Sequence, residues 1–316
     1  MTGALVVAIV GPTATGKSEL SLALALRLGG EVVNADAMQL YRGMDVGTAK
    51  LSRAERRGIA HHQLDVLEVT EDSSVARYQT EARRDLADIS GRGARGVVVG
   101  GSGLYVRALL DVITFPGTDP AVRAELEERV ESHGAGLLHA ELEQLDPVAA
   151  SSIGRGNARR IVRALEVIAI TGRPYSATLP EQRYVVPAVQ IGLDCDRVVL
   201  DARVARRVQH MWDAGLVDEV RALAGRGMGR TASRAVGYAE VLACLDGGDE
   251  ATAQAAVVAH TRRLARKQMG WFGRDPRVHW LDAEDPHLVD RALELVAAAD
   301  NGELRDPGER RRTLGS

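Results

Sequence analysis

The sequence predicts an α/β protein: a parallel-sheet core interrupted by a helical insertion. Over the first hundred residues, short apolar runs bounded by glycine alternate with segments of helical periodicity. A long, almost unbroken helical pattern then separates this region from a later strand signal. Alternation of this kind implies βαβ units and a parallel sheet.

Taken in order, Leu5 to Val10 is a continuous apolar run, and Ser18 to Leu28 repeats leucine at helical spacing through Leu20, Leu24 and Leu28. Glu31 to Asn34 is strand-like and ends at Ala35-Asp36. Val75 to Ile89 reads as a helix, and Gly96 to Gly101 encloses a second buried strand. The turn cluster Thr114-Phe115-Pro116-Gly117-Thr118-Asp119-Pro120 marks a break. From Val122 to Ile170 the pattern is helical, ending at Thr171-Gly172-Arg173-Pro174-Tyr175, and a polar stretch leads to the strand candidate Val189 to Leu193. Further helices are expected over Arg197 to Trp212, Val217 to Ala224 and Ala251 to Trp271. The expected division is a core of residues 1–117 and 189–316, C-terminal helices included, with residues 118–188 as the insertion. Arg310-Arg311-Arg312 reads as a frayed tail.

Composition narrows the function classes. The chain has 316 residues, 45% of them hydrophobic, with forty basic against forty-three acidic side chains for a net charge of −3. This excludes a polycation and a disordered acidic tail. Cys195 and Cys244 lie far apart with no metal-type spacing, which points to a reducing cytoplasm. The apolar N-terminus lacks a basic start and is too short to span a bilayer, so no membrane association is expected. Charge is unevenly placed. Residues 155–183 carry six arginines against two glutamates, and 221–234 and 260–274 carry four and five basic residues with no acid. A basic docking surface is therefore compatible with the near-neutral total. Only Lys17, Lys50 and Lys267 are lysines, and lysines that survive such an arginine bias merit inspection.

Gly11-Pro12-Thr13-Ala14-Thr15-Gly16-Lys17-Ser18 fits G-x-x-x-x-G-K-[ST] between a strand and a helix. The glycines let backbone N–H groups turn toward a phosphate, the helix N-terminus adds positive potential, Lys17 reaches the outer phosphate and Ser18 can ligate Mg²⁺. The fold class is therefore α/β with a P-loop NTPase-like parallel sheet core and a helical insertion domain. The strand ending Val97-Val98-Val99-Gly100-Gly101-Ser102 supplies no carboxylate of the kind a kinase uses for Mg²⁺. Asp36 instead closes the preceding strand, at the sheet edge where α/β folds gather ligands. None of the lysines lies in an N-K-x-D motif, which argues against a GTPase.

Several blocks, in order over roughly residues 5–282, together resemble the bacterial tRNA dimethylallyltransferase (tRNA isopentenyltransferase) family. They are Gly11 to Ser18, Asn34 to Lys50, His61-His62-Gln63-Leu64-Asp65, Val99 to Tyr105, Arg160 to Val167, Ala235-Val236-Gly237-Tyr238 and Thr261 to Gln268. The resemblance implies transfer of a dimethylallyl group from dimethylallyl diphosphate to N6 of the adenosine 3′-adjacent to the anticodon, with release of diphosphate. It also implies Mg²⁺, an insertion that grips the tRNA anticodon arm, and a monomer. Ser18 and Ser102 stand where the family usually has threonine, which keeps the hydroxyl; Arg159 replaces a common glutamine and Gly270 a common threonine.

Alkylating an exocyclic adenine amine requires removal of a proton as the C–N bond forms and stabilisation of the departing diphosphate. On the resemblance, Asp36 is the general base, with a Mg²⁺ ligand as its alternative role. Residues Gly11 to Ser18 bind the diphosphate, Ser18 holding the metal. Arg234 is carried over as a second cation on the diphosphate, and Ser102 as a hydrogen-bonding group for substrate. The tRNA contacts expected are Asp36, Ala37, Met38, Gln39, Ser102, Arg123, Arg159, Arg160 and Arg163, with Gln39 reading the adenine edge. The acceptor base must leave its stack to reach Asp36. Arg160 and Arg163 share a helix face opposite an apolar stripe of Ile161, Leu165 and Ile168, which leaves both guanidiniums free for RNA; a solvated face is the alternative. Adjacent His61 and His62 point apart and are read as structural. Competing readings are a P-loop kinase, an adenylate isopentenyltransferase using free AMP, and a non-catalytic RNA-binding protein.

Overall fold

A computed structural model describes residues 4–178, 182–305 and 307. In chain order the elements are β1 (Val6–Val10), α1 (Lys17–Leu28), β2 (Gly30–Asn34), β3 (His61–His62), α2 (Val75–Gly91), β4 (Arg95–Val99) and α3 (Gly103–Leu110). Four helices follow: α4 (Pro120–His133), α5 (Ala135–Leu145), α6 (Pro147–Ser152) and α7 (Ala158–Thr171). The remainder is β5 (Ala188–Asp194), α8 (Arg197–Asp213), α9 (Leu216–Gly225), α10 (Tyr238–Leu245), α11 (Glu250–Phe272), β6 (Val278–Asp282) and α12 (Leu288–Asp300). Two compact units result, one of residues up to Leu110 and from Tyr184 onward, the other Asp111–Arg183.

The first unit is built on one six-stranded sheet, ordered β3-β2-β4-β1-β5-β6, with every pair parallel. Alternate residues of β1 enter two different cores: Val6, Ala8 and Val10 pack with Tyr41, Tyr78 and Tyr238, whereas Val7 and Ile9 pack with Leu20, Leu24, Ala292 and Val296. A strand covered on both faces can carry no polar alternation, which is why Val-Val-Ala-Ile-Val is apolar throughout. Because all strands are parallel, the loops after β1, β2 and β4 emerge at one edge, and the site forms there.

The structure adds β3, α3, α10, β6 and α12 to the elements legible in the sequence. Of these, β3 is two residues long, and β6 is an edge strand whose burial does not alternate. The strand β5 begins at Ala188, and Tyr184 and Val186, assigned to the insertion from sequence, pack on the sheet core instead. Residues 111–117, assigned to the core, fall in the helical unit, where the Val112 N–H donates to the Arg183 carbonyl. The Arg310–Arg312 tail lies outside the described residues.

The helical unit has its own core of Leu126, Leu138, Leu142, Ile153, Ile161 and Leu165. Asp119, Asp146 and Asn157 cap the starts of α4, α6 and α7. Asp119 Oδ1 accepts from the Ala121 N–H at 2.9 Å, Asp146 Oδ1 from Ala149 at 3.0 Å, and Asn157 Oδ1 from Arg160 at 3.3 Å. Among the described residues no helix is long and apolar enough to cross a membrane.

Candidate active site

The phosphate loop leaves β1 and re-enters helix at Lys17, with Gly16 as the N-cap of α1. The loop is braced from within: Thr15, buried, donates its hydroxyl to the Pro12 carbonyl at 2.9 Å, and Lys17 Nζ donates to the same oxygen. It is also braced from outside, because the Thr13 N–H donates to Gln268 Oε1 of α11 at 2.8 Å. Of the residues expected to hold diphosphate, Thr13, Ala14, Gly16, Lys17 and Ser18 line one cleft together with Asp36, Gln39, Asn34, Arg207 and Gln268. Gly11, Pro12 and Thr15 support the loop without lining that cleft.

Asp36 reaches the cleft through a fixed turn. Asn34, buried at the end of β2, accepts from the Asp36 N–H at 2.9 Å and donates to the Asp36 and Gln63 carbonyls, each at 2.9 Å. The Asp36 Oδ1 accepts from the Met38 N–H at 3.0 Å, and among the described residues Oδ2 has no protein donor. The Ala37 N–H donates to Ser102 Oγ at 3.2 Å, so Ser102 holds the Asp36 turn. The strand between β1 and β2 is β4, and it closes on Gly100. A Cβ there would stand 2.3 Å from the Ala35 carbonyl, so only glycine lets the Asp36 segment cross toward the phosphate loop.

The second cation in the cleft is Arg207 of α8, not Arg234. Arg234 is exposed on a 3-10 turn, Ala232–Arg234, and is absent from the cleft lining. The Arg207 Nη2 donates to the Thr48 carbonyl at 3.2 Å, an oxygen that also accepts from Gln39 Nε2 at 3.1 Å. Burial lowers the Arg207 guanidinium from its ordinary range, and Asp36 opposes that fall. Burial, then the Arg207 charge, push Lys17 down to about 7, again against Asp36. Two cations and one carboxylate around one cleft make a site that favours an added anion. A sequence signal for Arg207 existed: it falls on the face of α8 marked by the buried residues Leu200, Val204, Val208 and Met211. Gln268 had only its place in a motif block.

Lys50 acquires a structural role. Its ammonium, 2% exposed, donates to the Tyr41 carbonyl at 2.7 Å, Asp45 Oδ1 at 2.7 Å and Asp65 Oδ1 at 2.6 Å, closing the loop that carries Thr48. His62 pairs with Glu31 at 2.7 Å, and His61 Nδ1 lies 2.9 Å from the Ile59 carbonyl. Among the described residues no group of three His, Cys, Asp or Glu side chains could hold a metal. The Ser18 hydroxyl has no protein partner among the described residues, and it sits beside Lys17 in the cleft. A hard oxygen ligand at that place, next to incoming phosphate oxygens, suits Mg²⁺.

In the helical unit the expected arginines separate into two kinds. Arg159 and Arg160 are exposed, with no partner for either guanidinium among the described residues. Arg163 is not free: its guanidinium donates to Glu166 at 2.8 Å and to the carbonyls of Pro116 and Gly117 at 2.7 and 3.1 Å. Arg123 donates to the same Glu166 carboxylate, whose side chain is fully buried. A buried carboxylate must be paired, and these two arginines do it. On α11 of the first unit, Arg263, Arg266 and Lys267 are exposed, whereas Arg262 donates to the Asp201 carbonyl at 3.3 Å.

A phosphate-loop motif on a parallel α/β sheet, with Lys17, Arg207 and Asp36 on one cleft, defines the class of P-loop α/β proteins. The profile of the IPP transferase family matches residues 39–275. A tRNA dimethylallyltransferase of Kineococcus radiotolerans is 58% identical over 306 residues, covering 93% of this chain and 96% of the relative. One of Bifidobacterium animalis subsp. lactis is 55% identical over 307 residues, covering 95% and 89%. Among solved structures, the tRNA isopentenylpyrophosphate transferase of Bacillus halodurans is 39% identical with a TM-score of 0.69, covering 95% of this chain and 97% of that one. A eukaryotic dimethylallyltransferase described as acting on tRNA is 25% identical with a TM-score of 0.84, covering 97% and 82%. The chain belongs to the IPP transferase family.

Proposed function

We propose that the protein transfers the dimethylallyl group of dimethylallyl diphosphate to N6 of the adenosine immediately 3′ of the anticodon in tRNA, releasing diphosphate. The observation that carries this reading is the meeting of Asp36 with Lys17 and Arg207 on one cleft. Two opposite demands, proton removal from the amine and charge stabilisation on the leaving group, are thereby served a short distance apart. The C–N bond forms as the allylic C–O bond breaks, and the N6 proton passes to Asp36 Oδ2, which accepts from no donor among the described residues. Lys17 and Arg207 take up the charge that gathers on the departing diphosphate.

Ser18 would hold Mg²⁺, which would supply further charge neutralisation on the leaving group. Ser102 keeps the Asp36 turn in place through Ala37 and retains a hydroxyl proton for the acceptor nucleotide. Arg159 and Arg160 are the insertion's phosphate contacts, a role in which backbone charge positions the RNA and base contacts specify it. The reading places the enzyme in the cytoplasm with its tRNA substrate.

The test is incubation of the protein with labelled dimethylallyl diphosphate and tRNA, followed by nucleoside analysis. N6-dimethylallyladenosine in tRNA, and no product from AMP, is the expected result. Label on AMP, or ATP consumption without label on tRNA, overturns the reading.

A further inference from the structure

The loop between β2 and β3 is held by a carboxylate from a distant helix. Three consecutive backbone N–H groups converge on Glu219 of α9. Asp45 and Val46 donate to Oε2 at 3.0 and 2.7 Å, and Gly47 donates to Oε1 at 3.1 Å. Tyr238, the first residue of α10, donates its hydroxyl to Oε1 at 2.6 Å. Its ring is buried and lies against Gly47, where a Cβ would come within 2.5 Å of the ring. Successive N–H groups turned toward one anion fix the intervening peptide planes.

The residue after that nest is Thr48. Its carbonyl receives Arg207 Nη2 at 3.2 Å and Gln39 Nε2 at 3.1 Å. Among the described residues, Thr48 O is the one hydrogen-bond acceptor of Arg207, so the direction of that carbonyl sets the direction of the guanidinium. We infer that Glu219 is a positioning residue: by fixing residues 45–47 it aims the Thr48 carbonyl, and through it holds Arg207 on the phosphate cleft. Tyr238 is its accessory, completing the carboxylate's donors and closing over Gly47. The inference rests on the proposed role of Arg207 at diphosphate. It follows the general pattern in which groups that contact substrate are oriented by a supporting layer.

A double-mutant cycle tests it in the full-length chain, with inorganic diphosphate as the probe. Glu219→Gln is expected to weaken diphosphate binding about tenfold in the wild-type background and less than about twofold in an Arg207→Ala background, because the residue it acts through is gone. In steady-state transfer, kcat falls in parallel while the KM for tRNA stays within about twofold. Equal losses in both backgrounds, or a raised KM for tRNA with kcat unchanged, would show a loop staple without a positioning role and overturn the inference. If Glu219→Gln gives no cooperative melting transition, Tyr238→Phe serves instead: it keeps the ring on Gly47 and removes one donor. About a threefold loss confined to the Arg207 background is then expected, and no loss in that background overturns the inference. Failure of wild-type protein to prenylate tRNA would count against the proposed function, whereas the diphosphate cycle reads the Glu219–Arg207 coupling by itself.

Discussion

Arg207 stands beside Lys17 in the phosphate cleft, and burial together with that guanidinium takes the Lys17 ammonium down to about 7. The ligand-free site therefore holds less positive charge than its residues suggest, and a bound anion changes this.

With the Lys17 ammonium lowered to about 7, the free protein at pH 8 is expected to hold it mostly neutral, and diphosphate binding is expected to restore its charge. Binding should take up about one proton per site. Calorimetry in two buffers of different ionisation enthalpy measures that uptake, and Lys17→Met should abolish it. The sign for stability is also fixed. Lys17 titrates at about 7 in the folded protein against 10.5 for an ordinary lysine, so between these values the unfolded chain binds more protons. Stability of the ligand-free protein should rise with pH through that window, and Lys17→Met should flatten the rise.

Asp36→Asn keeps an oxygen to accept from the Met38 N–H but cannot take a proton. Transfer should fall by about 10²–10⁴-fold in kcat, while tRNA binding, read by filter retention, stays within about twofold. Equal loss of both would make Asp36 a structural residue.

Arg160→Ala and Arg163→Ala should behave differently although they lie one turn apart. Arg163→Ala removes a charged partner from buried Glu166 and three hydrogen bonds, so denaturant unfolding should show a loss of about 2 kcal/mol. Arg160→Ala should leave stability within about 0.5 kcal/mol and reduce the salt slope of tRNA binding by about one. A salt slope unchanged by Arg160→Ala would remove it from the RNA surface.

Gly100→Ala places a methyl group 2.3 Å from the Ala35 backbone, where no flexible side chain can yield. A destabilisation of about 1–3 kcal/mol is expected, with a loss of kcat larger than that of Gly91→Ala, whose new methyl meets nothing within 4 Å. Equal activity in the two variants would mean that the approach of Ala35 to β4 does not position Asp36.

The phosphate loop and the place of Asp36 were legible because both are local: the eight-residue motif Gly11 to Ser18 runs from the end of β1 into the start of α1, and Asp36 lies two residues past the end of β2. Arg234 lies outside the cleft lining and Arg207 within it for a reason the sequence does not carry. In a chain with so few lysines, an arginine's role depends on which face of its helix meets the sheet edge, and motif proximity does not reveal this. Arg163 was misread because its partner Glu166 is three residues away on the same helix, yet the pair is completed by the carbonyls of Pro116 and Gly117, which helical periodicity cannot supply.

The sequence by itself determined the parallel α/β core, the phosphate loop, the carboxylate just beyond the next strand in the chain and, through ordered motif blocks, the family. Each is encoded by residues adjacent in the chain, where backbone geometry follows from composition. Tertiary structure alone decided which cation faces Lys17, that Gln268 braces the phosphate loop and Ser102 the Asp36 turn, and that Glu219 holds the loop behind Arg207. Those relationships join residues far apart in the chain, and a hydrogen bond or buried charge between them exists only once the helices have packed on the sheet.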